Sequence, residues 1–172
     1  MKISKIPGLG RFGNFVDDVD FNHITDDEWL EIGKLHLNGL VTIIRNTGLD
    51  KNRYVEMMSK WGVPRDTASY GFTRKYNITP LEAFSQDIKL DEEDRQWINF
   101  LKPLLEVDEE GRPLALLKVT GMKNEKGEPL GLFAEGELLW HSNESGNLLF
   151  TPGVSLLGET GMVGSATGFM TT

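Results

Sequence analysis

The chain has 172 residues, a formal charge of −8 and no cysteine, a length that fits one domain with a sizeable core. Its acidity disfavours phosphate-neutralising partners, both nucleic acid and anionic membranes. The lack of cysteine removes disulfides, thiolate catalysis and sulfur-ligated metal, so any metal must be held by histidine, carboxylate, amide or water.

Hydrophobic residues at 39% and charged residues at 26% are those of an ordinary globular protein. No stretch approaches the ~20 apolar residues of a membrane span. Pro7 and three glycines interrupt the N-terminus before a signal-peptide core could form. A cytoplasmic protein is expected.

In chain order, Thr25-Asp26-Asp27-Glu28 matches a capping box and starts a helix at about Asp26. Trp29, Leu30, Ile32, Leu35 and Leu37 give that helix an apolar side, and Asn38-Gly39 is its stop signal. The β-branched run from Leu40 to Ile44 reads as a short buried strand. Asp50 then caps a second helix through Tyr54, Val55, Met58 and Trp61, closed by Gly62 and Pro64.

From Arg65 to about Gln86 the pattern dissolves, which predicts a long loop, with Tyr70, Phe72, Arg74 and Tyr76 either lining a pocket or serving as anchors of a plain surface connection. Asp91 to Asp94 open a short helix toward Leu101, acidic residues suiting the positive helix end. Beyond Gly111 the chain reads as strands and turns: Leu114 to Thr120, a Lys126 to Pro129 turn, Leu130 to Ala134, Leu138 to Asn143, then Leu148 to Phe150 and Val154 to Leu157. Such spacing predicts an antiparallel sheet or barrel wall.

The chain has three histidines, His23, His36 and His141. His36 lies within the first helix, where a packed or surface role is expected, and His23 has no partner at a recognised spacing. His141 ends a predicted strand and runs into Ser142, Asn143 and Glu144. Residues i and i+2 of a strand share a side, so His141 and Asn143 point together. Glu144 joins them only if a bulge turns it, and Asn143 ranks ahead of it. Ser142 faces the other way, which gives no nucleophile–histidine arrangement. Non-heme iron enzymes place two histidines and one carboxylate on one face of the metal, and a His-x-Asp or His-x-Glu step supplies two of the three.

Three stretches together resemble one family. Glu137-Leu138-Leu139-Trp140-His141-Ser142-Asn143 resembles the Trp-His-Thr-Asp metal-binding strand of the iron(II)/2-oxoglutarate-dependent dioxygenases of the taurine dioxygenase family. The helix, strand and helix from Ile24 to Gly62, with Arg45 after the strand, resemble that family's N-terminal layout. Gly164-Ser165-Ala166-Thr167 resembles its Gly-Gly-Asp-Thr segment.

The resemblance implies an α+β chain carrying a partial double-stranded β-helix, a cupin-like jelly roll, with flanking N-terminal helices. It implies iron(II) and 2-oxoglutarate as cofactors, which activate dioxygen and yield succinate and carbon dioxide while a small organic substrate is hydroxylated. His141 would be the first iron ligand, Asn143 would stand in the carboxylate position, and Thr167 would contact 2-oxoglutarate. Asn143 departs from the family, because an amide oxygen can coordinate a metal but brings no negative charge.

The family's second histidine and its 2-oxoglutarate arginine follow the threonine, whereas no histidine follows His141 here and no arginine follows Arg112. The expectation is one domain over 1–172 that forms the N-terminal portion of a larger oxygenase, or a chain that completes its sheet by self-association through open edges. The alternative is a non-catalytic binding or interaction domain whose oxygenase site has decayed.

Overall fold

The computed structural model describes residues 1–62, 69–84, 86–134, 136, 139, 141, 153–160 and 169, without the side chains of 69–71. These residues form an α+β arrangement of helices with one three-stranded and one two-stranded sheet. Among them no sheet closes into a barrel, and no helix is long and apolar enough to cross a membrane.

Strand β1 (Lys2–Lys5) pairs antiparallel with β2 (Asn14–Asp17), which in turn runs parallel to β3 (Thr42–Ile44). Parallel neighbours need a crossover, and α1 (Asp26–Gly39) provides it. Its capping box is present as the sequence predicts. The Thr25 hydroxyl accepts from the Glu28 amide at 3.2 Å, and the Glu28 carboxylate accepts from the Thr25 amide at 2.9 Å. Helix α2 (Lys51–Ser59) likewise starts at Asp50, whose carboxylate accepts from the Arg53 amide at 2.7 Å.

Side chains alternate along β2, burying Asn14 and Val16 and leaving Phe15 and Asp17 half-buried on the other side. Val16, Phe21, Trp29, Ile32 and Met57 make the core of this half. On the opposite side Arg45 makes two 2.6 Å bonds to Asp17, and its guanidinium lies 4.3 Å from the centre of the Phe15 ring. The Arg45 bond holds the Asp17 carboxyl below its ordinary pKa. Arg45 thus ties β3 to β2.

Two details of the α1–β3 passage correct the sequence reading. Gly39 is not the residue that turns the chain; it is still helical, and Leu40 takes the left-handed conformation at φ 62°. The following strand is also shorter than expected and not buried. Leu40 is 61% exposed and Ile43 41% exposed, because β3 is the last strand of its sheet and Ile43 lies on the face away from α1. A leucine in the left-handed region bears a cost of about 1–2 kcal/mol that glycine escapes. Leu40→Gly should therefore raise unfolding free energy by about 0.5–1 kcal/mol in urea denaturation, since this exposed side chain gives up little burial.

The stretch expected to be a loop holds α3 (Ser69–Tyr76) and α4 (Pro80–Ala83). Ser-Tyr-Gly-Phe-Thr-Arg-Lys-Tyr has weak intrinsic helix preference, so packing decides its state. Phe72 lies 4.8 Å from Tyr76 and 5.7 Å from Trp97 between ring centres. The Tyr76 hydroxyl donates to Asp94 at 2.8 Å and accepts from the Asp91 amide at 3.1 Å, while Lys75 bridges both carboxylates. Lys75 also holds Asp91 below its ordinary pKa. Phe72 and Tyr76 are thus anchors for α5 (Glu92–Leu101), which starts at its Asp91 cap as predicted. Arg74 is exposed.

A 3₁₀ turn at Lys102–Leu104 leads into a hairpin of β4 (Leu105–Val107) and β5 (Pro113–Leu117), of which the sequence predicts only the second strand. The turn after it is present: Asn124 accepts from the Lys126 and Glu128 amides at 2.9 Å each. Leu130 to Ala134 forms no strand. It is limited to an isolated bridge between Val119 and Leu132, and Phe133 at φ 57° breaks the extended run. Val154 to Leu157 is also without strand pairing. The expected strands at 138–143 and 148–150 fall largely or wholly outside the described residues.

Candidate metal centre

His141 is exposed, and its Nδ1 lies 2.8 Å from the carbonyl oxygen of Leu139. A carbonyl only accepts, so Nδ1 is the donating ring nitrogen, and a neutral ring with that bond has its lone pair on Nε2. Histidine ligands commonly have this form, one ring nitrogen tied to a backbone carbonyl and the other free for the metal.

Asn143, its competitor Glu144, and Thr167 lie outside the described residues, as does Ser142. Among the described residues no three histidine or carboxylate side chains gather where they could hold a metal ion. Of the residues expected to hold iron, His141 alone is among the described residues.

The other histidines sit elsewhere. His23 is exposed, with Nδ1 2.7 Å from an Asp20 carboxylate oxygen, and it helps line a recess of 220 Å³ with Asp18, Glu28 and Met1. The imidazole bond holds Asp20 below its ordinary pKa. His36 is half-buried on α1, its ring close to Gly153, where an added Cβ would lie 3.3 Å from Nε2.

That neighbour of His36 belongs to a segment the sequence reading misplaces. Residues 153–159 are exposed except for the half-buried Leu157, and the buried Tyr54 donates its hydroxyl to Ser155 Oγ at 2.6 Å. Lys51 bridges Glu106 at 3.0 Å and Glu159 at 3.5 Å. In sequence Tyr54 shows only as an apolar position of α2. A partner 101 residues away leaves no spacing signal.

No family model matches this sequence, and no curated protein or solved structure does so.

Proposed function

We propose that this chain is the N-terminal portion of a cytoplasmic iron(II)/2-oxoglutarate-dependent oxygenase acting on a small organic substrate, its jelly roll only partly contained in these residues. The observation that carries the reading is the His141 ring, whose Nδ1 lies 2.8 Å from the Leu139 carbonyl oxygen, two positions before Asn143 in sequence. Resemblance adds Asn143 as the neighbouring oxygen ligand and Thr167 as the 2-oxoglutarate contact. When bound, the iron and 2-oxoglutarate would supply the activation of dioxygen. His141 would hold the metal through Nε2, with the Leu139 carbonyl fixing the tautomer and ring orientation.

The parallel β2–β3 pair joined by α1, with α2 after it, accords with the helix, strand and helix of the resemblance. Asn143 favours a second reading, a binding or interaction domain in which the site has decayed, because a hard cation prefers an anionic oxygen. Turnover separates them. The full-length oxygenase to which this chain is proposed to belong should form succinate from 2-oxoglutarate with iron(II) and dioxygen, and His141→Ala should abolish it. Succinate formation that is absent in the parent, or untouched by His141→Ala, would set the oxygenase reading aside.

A further inference from the structure

We draw no further inference here: the strongest candidate, the recess between β2 and α1 lined by Asp18, Asp20, His23 and Glu28, is a cluster of acidic residues around an exposed histidine that is paired with Asp20, and no second observation points to a ligand there.

Discussion

Replacing Trp29 with alanine should lower the unfolding free energy by about 3–5 kcal/mol, read by urea denaturation. The side chain is 2% exposed and meets three kinds of neighbour at once. Its ring stacks on Trp61 at 4.3 Å and 11°, and Phe21 meets it edge-on at 6.0 Å. Its Nε1 donates to the Met57 carbonyl at 2.9 Å, joining α1 to α2. Truncation opens a cavity in the middle of the five-residue core and removes pair energies of about 0.5–1.5 kcal/mol each beyond lost area. The Met57 carbonyl keeps a bond from the Lys60 amide, so cavity formation carries most of the loss. Because domains of this size are stable by only ~5–15 kcal/mol, the variant should be near its unfolding midpoint at modest denaturant. Trp61→Ala should cost clearly less, since that ring is 39% exposed.

Gly39→Ala should cost about 1–3 kcal/mol, although alanine is the better helix former by up to about 1 kcal/mol. A Cβ at this position would overlap the Asn14 side-chain nitrogen. Asn14 cannot swing away freely, because it is 1% exposed, donates to the Leu35 carbonyl at 3.3 Å and accepts from Lys5 at 2.8 Å. The backbone is pinned as well: the Gly13 amide donates to the Gly39 carbonyl at 2.9 Å, and the Asn14 amide to Val41 at 3.0 Å. Steric overlap at one point predicts non-additivity. The Gly39→Ala, Asn14→Ala double variant should lose less stability than the two single losses added together, measured by a denaturation cycle. Strict additivity would mean that Gly39 is not there to make room for Asn14.

These two residues also show why parts of the fold were legible in sequence and others were not. Thr25, Asp50 and Asp91 announce their helices because a cap is a local bond within three residues. Gly39 looked like a stop signal by the same local logic, whereas its cause is Asn14, on a strand that pairs far from it in sequence. Sequence alternation does not mark that strand, because Asn14 puts an amide on the buried face. Its neighbour β1 is exposed at every residue and shows no alternation at all. Helix α3 was hidden because aromatic contacts with Trp97, not propensity, hold it.

Of the candidate site, His141 makes a local bond to the carbonyl oxygen two residues before it, while Asn143 and Thr167 lie outside the described residues; a partner distant in sequence is not legible in this way. Tyr54 is such a case, because nothing local marks a hydroxyl whose partner is Ser155.

The proposed iron site rests on His141, with Asn143 two residues on in sequence. Anaerobic titration of the chain with iron(II), following bound metal by calorimetry, tests this most directly in the parent, His141→Ala and Asn143→Asp. The expected result is binding that His141→Ala abolishes and that Asn143→Asp strengthens on the order of tenfold, because a carboxylate adds the charge that an amide lacks. Equal affinities in the parent and His141→Ala would contradict it.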